Sequence, residues 1–119
     1  MEAQIKRAFE ELKSEAYLTI GADLEIEDLI TSLDLGKYKT IEEIKTWIKT
    51  LPGELASTTM KAASGDTLDK FRQNVTDYFI KEILTLSITA ARNTGSSDVN
   101  SRDVAKAIRD DEELCELFA

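Results

Sequence analysis

The sequence contains no histidine among its 119 residues. Histidine is the commonest general base near neutral pH and the commonest metal ligand, so its absence argues against the usual hydrolytic and metal-dependent sites. The single cysteine, Cys115, excludes an intramolecular disulfide framework and has no plausible base near it in the sequence. No phosphate-binding loop, dinucleotide-binding glycine motif or zinc-protease motif occurs. We therefore expect a protein that is not an enzyme and that uses no metal or other cofactor.

Long apolar runs and an excess of positive charge are also absent. No run approaches the roughly 20 apolar residues of a membrane-spanning helix, and the first residues are too charged for a secretory signal. We therefore expect an intracellular protein without a membrane segment. The chain carries 15 Lys and Arg against 23 Asp and Glu, a net charge of −8, and it has no basic tail. DNA-packaging proteins neutralise phosphates with Lys and Arg, so this charge disfavours strong DNA binding.

Three amphipathic helices are predicted within residues 1–53. The first runs from about Glu2 to Leu18. Its apolar stripe consists of Ile5, Ala8, Phe9, Leu12 and Ala16. The second should begin after an N-terminal cap at Asp23 and end at a C-terminal cap at Gly36. The third should begin with a capping box formed by Thr40 and Glu43, and the only proline should end it.

One long helix is predicted to organise the second half of the chain. The 27 residues 67–93 contain neither Gly nor Pro, and their apolar sector is wider than one buried face requires. We therefore expect this helix to be covered on more than one side. A weaker short helix over about 54–63 should precede it, and a short helix capped by Asn100 or Ser101 should follow it. Strand content should be near zero, with at most a short bridge between Val99 and the loop of a partner.

The segment from Asp77 to Phe118 resembles the second half of a core histone of the H-two-A type. AIRDDEEL carries the strongest signal within it. The positions in register are Tyr78, Glu82, Ile83, Leu84, Leu86, Ala90, Ala91, Arg92, Arg102, Ala107, Ile108, Arg109, Asp111, Glu112, Glu113, Leu114 and Leu117. The resemblance implies an all-α histone fold of short, long and short helices over residues 54–119. Residues 1–53 would then be an N-terminal helical extension.

The resemblance also implies a partner, because a histone fold normally has its long helix covered by a second histone fold. Leaving one large apolar side chain exposed to water costs about 1.5–3 kcal/mol of folding free energy. The net stability of a whole domain is only ~5–15 kcal/mol. The residues expected at this dimer surface are Leu68, Phe71, Val75, Phe79, Ile83, Leu86, Val104 and Ile108. The partner would be another histone-type chain or a second copy. Alternatively, the three N-terminal helices fold back and cover the long helix internally.

Two charged sites are implied by the same resemblance. In the family, an exposed acidic patch binds arginine-bearing peptides of chromatin factors. The matching positions here are Asp77, Glu82, Asp111, Glu112 and Glu113. Clustered carboxylates bind guanidinium groups through charge-assisted hydrogen bonds, although a solvated charged face is the simpler alternative. The loop that faces DNA in the family has Asp98 in place of an arginine, which leaves Arg92 and Arg102 as candidate phosphate contacts.

Two functions are compatible with these features. The first is a histone-fold subunit of chromatin that heterodimerises with a histone-type partner and takes part in DNA packaging or nucleosome-like assembly, with weak DNA contact of its own. The second is an acidic, non-packaging interaction protein, such as a subunit of a transcription or chromatin complex or a mimic that binds histones. Both predict a nuclear or chromatin-associated location, in a host or viral context, and neither predicts a small-molecule substrate.

Overall fold

Helices form most of the chain that the structure, a computed structural model, describes, namely residues 19–20, 23–96 and 98–118. The six α-helices within these ranges are α1 (Asp23–Ser32), α2 (Ile41–Lys49), α3 (Leu55–Ala62), α4 (Leu68–Asn93), α5 (Ser101–Asp110) and α6 (Glu112–Phe118). The chain is therefore all-α, as predicted. The helix predicted from Glu2 to Leu18 lies outside the described residues. None of the described helices is both long enough and apolar enough to cross a lipid bilayer.

Side-chain caps define the starts of two helices at the places that the sequence predicts. At α2, the Thr40 side chain accepts a hydrogen bond from the backbone N–H of Glu43, with a distance of 3.1 Å. At α5, Asn100 is the cap, and the Asp103 carboxylate accepts a bond of 2.9 Å from its backbone N–H. Each cap satisfies N–H groups that the first helical turn leaves without partners, which is worth about 1 kcal/mol.

The ends of α1 differ from the sequence prediction. The helix includes Asp23, which was expected to precede it as the cap, and it ends at Ser32. Asp34 then adopts a left-handed backbone conformation with a φ of 53°. Gly36, predicted as the C-terminal cap, lies instead inside a short 3-10 helix, Leu35–Lys37. The prediction for Gly36 is wrong because Asp34, and not the glycine, adopts the left-handed conformation after the helix. Aspartate can do so because its short polar side chain tolerates this region.

The unbroken helix α4, 26 residues long, is the centre of the hydrophobic core. Core residues from the other helices include Ile26 and Ile30 of α1, Ile44 and Ile48 of α2, Leu55 of α3, Val104 of α5 and Leu114 of α6. The Trp47 ring of α2 lies 6.0 Å from the Phe79 ring, centroid to centroid. Residues from both predicted segments, 1–53 and 54–119, therefore share one core.

Polar contacts also join α4 to the connection between α1 and α2. The Arg72 side chain donates through Nε to the carbonyl oxygen of Leu35 at 3.2 Å. It donates through Nη2 to the carbonyl oxygen of Tyr38 at 2.9 Å. Hydrogen bonds from a charged group to buried carbonyls are stronger than neutral ones, so Arg72 holds this connection against the long helix.

The chain itself covers most of the surface that was predicted to bind a partner. Five of the eight predicted dimer-surface residues are at most 4% exposed, namely Phe71, Val75, Phe79, Ile83 and Val104. The other three, Leu68, Leu86 and Ile108, are partly buried against the same core. Within the described residues, α1 and α2 of the same chain therefore share a core with this surface. The dimer surface stays a prediction.

A two-residue parallel bridge closes the fold next to α5. Strand β1 (Thr19–Ile20) pairs with β2 (Asp98–Val99), and Ile20 is opposite Val99. Val99 is fully buried. The sequence analysis placed a bridge at Val99 but assigned its other strand to a partner. The structure corrects that assignment, because the pairing strand belongs to the same chain.

The acidic C-terminal stretch is also part of the fold rather than a tail. It forms α6, and Leu114 inserts into the core with 1% of its surface exposed. The negative residues of this stretch are therefore held in fixed positions relative to α3 and α4.

Replacing Phe79 with alanine should lower the free energy of unfolding by about 3–5 kcal/mol, because it removes a buried ring and leaves a cavity. Urea denaturation followed by Trp47 fluorescence measures this change. The control is Thr85→Ala, at an exposed position of the same helix, which should change the free energy by less than about 1 kcal/mol. Similar losses for the two variants would contradict the internally covered core.

Candidate functional site

An acidic pocket of about 390 Å³ lies where α3, α4 and α6 meet. We define the acidic pocket by Tyr78 and Glu82 of α4, together with Asp111 and Glu113 at the start of α6. Tyr78 and Glu82 are four residues apart and therefore project from the same side of the helix. Leu55 and other residues of α3 complete the wall. Glu54, the residue before α3, also lines it, so the pocket combines one aromatic residue with four acidic residues.

Tyr78 is the polar centre of the acidic pocket. Its hydroxyl donates a hydrogen bond of 3.0 Å to Oγ1 of Thr58. Burial raises the pKa of Tyr78, and the nearby carboxylates of Glu82, Glu113 and Asp111 raise it further, although the bond to Thr58 acts in the opposite direction. The phenol therefore remains a neutral hydrogen-bonding group with an aromatic face, next to concentrated negative charge.

Glu82 is held in an unfavourable electrostatic environment. Partial burial raises the pKa of this carboxyl group above its ordinary value of 4.5, and the neighbouring Asp111 carboxylate raises it as well. Both effects disfavour the ionised form of Glu82. A cationic group bound in the pocket would relieve the repulsion between the two carboxylates.

Two further carboxylates of the pocket, those of Asp111 and Glu113, are oriented by backbone N–H groups at helix starts. Oδ1 of Asp111 accepts a bond of 3.0 Å from the backbone N–H of Leu114 in α6. Oε2 of Glu113 accepts a bond of 2.9 Å from the backbone N–H of Leu55, the first residue of α3. Negative charge at a helix N-terminus is favourable because of the helix dipole. The same bonds that stabilise α3 and α6 therefore also position negative charge beside Tyr78.

The remaining residues of the predicted acidic patch lie around or outside this pocket. Asp77 lines a neighbouring depression of about 360 Å³, to which Tyr78 and Glu82 also contribute. Glu112 is exposed and does not line the acidic pocket. Asp110, the first acid of the same run, instead accepts a bond of 2.8 Å from Nζ of Lys106, and this bond lowers the pKa of Asp110. The fold thus brings Glu82, Asp111 and Glu113 together, with Asp77 next to them.

The two candidate phosphate contacts lie away from the acidic pocket, at the loop between α4 and α5. Arg92 is in the last turn of α4, and Arg102 is the second residue of α5, and both are exposed. Asp98 is also exposed on this loop. Its backbone N–H donates a bond of 3.1 Å to the hydroxyl of Ser96. The loop therefore carries charges of both signs.

Sequence reasoning missed three residues of the site. It treated Tyr78 as part of the apolar sector of the long helix, although its spacing of four from Glu82 is a signal that the two share a face. It gave no role to Thr58 or Gly53. Gly53 has a φ of +54°, and a Cβ atom at this position would overlap the Glu113 carboxylate. These contacts join residues far apart in the chain, so no local pattern indicates them.

The described side chains include no group of three or more Cys, Asp or Glu residues arranged to hold a metal ion. Comparison with protein families, with curated proteins and with solved structures found no match to this chain. The acidic pocket therefore has to be interpreted from its own chemistry. A concave site with four acidic residues and an aromatic ring is suited to a cationic, planar group such as guanidinium.

Gly53→Ala should lower the free energy of unfolding by about 1–3 kcal/mol, because alanine is strained at positive φ and its methyl group would displace Glu113. Gly36→Ala is the matched control, since a Cβ atom there meets nothing within 4 Å. The control should leave the stability unchanged or raise it by up to about 1 kcal/mol. Equal effects of the two substitutions in thermal and urea denaturation would contradict the contact between Gly53 and Glu113.

The raised pKa of Glu82 predicts a specific dependence of stability on pH. Because the folded state binds the Glu82 proton more tightly than the unfolded state, this group contributes stability below pH 4.5, and the contribution is lost as the pH rises through the folded-state pKa. Glu82→Gln should therefore be more stable than the wild type at pH 7, and the difference should vanish below pH 4.5. Urea midpoints between pH 4 and 7 measure it. A difference that does not change with pH would contradict the prediction.

Proposed function

We propose that this chain is an acidic interaction protein with a histone-type fold, which binds arginine-bearing segments of a basic partner protein in the acidic pocket. The observation that carries the proposal is the convergence of Glu82, Asp111 and Glu113 around Tyr78. This function corresponds to the non-packaging alternative of the sequence analysis. A protein with this function would act as a subunit of a chromatin or transcription complex, or as a mimic that binds histones, at a chromatin-associated location.

The histone-type fold is part of the proposal and is supported by the order and lengths of the helices. The short α3, the 26-residue α4, the loop that contains β2 and the ten-residue α5 follow one another as the resemblance implies. The parallel bridge at Val99 also lies where that resemblance expects a loop to pair with another loop. In this chain the pairing loop is internal, which favours a self-covered unit over an obligate heterodimer.

Two electrostatic features favour protein binding over DNA packaging. The net charge of −8 opposes association with phosphates, whose binding depends on Lys and Arg. The carboxylates of the acidic pocket repel one another, so a guanidinium group that neutralises them gains more free energy than it would from a solvated surface carboxylate. A planar guanidinium can also stack on the ring of Tyr78 while it donates to a carboxylate.

A DNA-packaging subunit that pairs with a second histone-type chain is the other candidate. The exposed positions of Arg92 and Arg102 on both sides of one loop favour it. The exposed Asp98 on that loop and the burial of most of the predicted dimer surface oppose it. Retention of duplex DNA by the wild type, weakened by Arg102→Ala and by added salt, would support packaging over the proposed function.

Asp111→Asn should weaken binding of an arginine-rich peptide, because it removes one charge from the pocket while an amide oxygen can still cap α6. Hydrogen bonds to charged groups are worth about 1.5–3 kcal/mol, so the dissociation constant should rise about ten- to hundredfold. Fluorescence anisotropy with a labelled peptide measures the change.

Glu112→Gln is the matched control, because it removes the same charge from an exposed neighbour outside the pocket. It should change the dissociation constant by less than about threefold, the size expected of a screened surface charge. A peptide with lysine in place of arginine should bind more weakly to the wild type, since ammonium cannot form the bidentate contact. Equal effects of Asp111→Asn and Glu112→Gln would show only general attraction to the acidic chain and would contradict a built site.

A further inference from the structure

A second cavity, separate from the acidic pocket, lies between α1, α5 and α6. This apolar groove has a volume of about 670 Å³. One face of α5 lines it at helical spacing, namely Ser101, Val104, Ala105, Ile108 and Arg109. Leu29 of α1 and Phe118 of α6 add to the apolar lining. Ala105 is exposed and Ile108 is only half-buried, so the described helices leave this face of α5 partly uncovered.

The opposite wall of the apolar groove is α1, which runs in the same direction as α5. Strands β1 and β2 are parallel neighbours, and each is followed within three residues by one of these two helices. The groove is lined by α1 from Glu25 to Ser32 and by α5 from Ser101 to Arg109. Because both helices start at the same bridge and follow the same groove, Glu25 lies at the Ser101 end and Ser32 at the Arg109 end.

The charged residues of the apolar groove have opposite signs on its two walls. The α1 wall carries Glu25 and Asp28, and the α5 wall carries Arg109. Neither acid has an ion-pair partner in the part of the chain that the structure describes. The Arg109 side chain is 69% exposed, and its Nε lies 3.8 Å from Oδ1 of Asp110, too far for a hydrogen bond. That carboxylate is already bound by Lys106, so the Arg109 guanidinium is available to a further acid.

We propose that a second copy of the chain occupies the apolar groove, with the two α5 helices antiparallel about a two-fold axis at Ala105. Ala105 is the midpoint of the uncovered face, because it is four residues from Ser101 and four from Arg109. An axis at this point places Arg109 of the second copy opposite Ser101, at the end of the groove where Glu25 lies. The interface is then self-complementary, because it contains the same pair of Arg109 and Glu25 twice.

The size of the side chains also suits this arrangement. A small residue such as Ala105 at a crossing lets two helix axes approach to about 8 Å. Ile108 of each copy then lies beside Val104 of the other and is removed from water. Each α5 is only about 15 Å long, so the contact is small and typical of a transient dimer.

The overall charge of the chain does not prevent such a dimer at physiological salt. Each copy carries a net charge of −8, which opposes association when little salt is present. At physiological ionic strength, charges more than about 8 Å apart are largely screened, whereas the pairs in the groove are in direct contact. The dimer does not depend on the function of the acidic pocket, which lies elsewhere.

Sedimentation velocity of the full-length chain measures the self-association, at concentrations from about 5 to 500 µM that cover weak affinities. The average mass should rise from 13.3 kDa towards twice that value. Ala105→Arg puts two like charges on the axis and should raise the dissociation constant of the dimer at least about tenfold. Thr46→Arg, the control at an exposed position of α2, should change it less than about threefold. A chain that stays monomeric at the highest concentration would overturn the proposal.

Charge reversal tests the orientation of the two copies. Arg109→Glu and Glu25→Arg should each raise the dissociation constant at least about tenfold, because each homodimer then brings like charges together twice. An equimolar mixture of the two variants should dimerise again, since each contact then joins one arginine and one glutamate. Neither variant contains such a pair within one copy, so the recovery has to come from contact between copies.

Lys39→Glu is the matched control for the charge reversals, because it makes the same change at an exposed position outside the groove. It should dimerise like the wild type. Near-ultraviolet circular dichroism of each variant verifies that the core with Trp47 remains folded. Dimers that persist in both single variants, or a mixture that stays monomeric, would overturn the proposal.

Discussion

The structure depends on the burial of α4 by the rest of the same chain. Phe79 and Ile83 are completely buried, and each apolar side chain of this size contributes about 1.5–3 kcal/mol when it leaves water. This burial requires α1 and α2 to lie across the long helix, where Trp47 meets Phe79 and Arg72 bonds to the intervening connection. The apolar sector of the long helix is thereby buried among residues of the same chain.

The acidic pocket is a consequence of the same packing. Insertion of Leu114 into the core draws the start of α6 against α3, and Glu113 then meets the first N–H of α3. Asp111 caps α6 within the same turn. The pocket therefore gathers negative charge because those two carboxylates accept backbone hydrogen bonds, while burial and the Asp111 carboxylate raise the pKa of Glu82 from α4. The proposed binding of arginine follows from this imbalance, since a buried, repelled carboxylate gains most from an added positive charge.

Much of the fold was predictable from local patterns. The span of the long helix, the caps at Thr40 and Asn100 and the nearly complete absence of strands follow from periodicity and capping, which act within a few residues. Gly36 was misassigned because glycine is only the commonest residue in a left-handed position, and here Asp34 takes it. In the candidate site, the resemblance implied a patch of five acidic residues, of which Glu82, Asp111 and Glu113 line one pocket. It gave no indication of Thr58 or Gly53, whose contacts cross from α3 and its preceding turn to α4 and α6.

The sequence by itself determined that this protein is helical and acidic, where most of its described helices begin and end, and that its long helix needs cover on several sides. These properties arise from interactions between residues close in the chain or from composition alone. Only the tertiary structure decided what supplies the cover, which strand pairs with Val99 and which of the acidic residues converge on Tyr78. Those outcomes depend on contacts between residues such as Leu55 and Glu113, 58 positions apart. An apolar stripe indicates that one face of a helix must be buried. It does not indicate whether a partner or the same chain covers that face, because the hydrophobic effect is not directional.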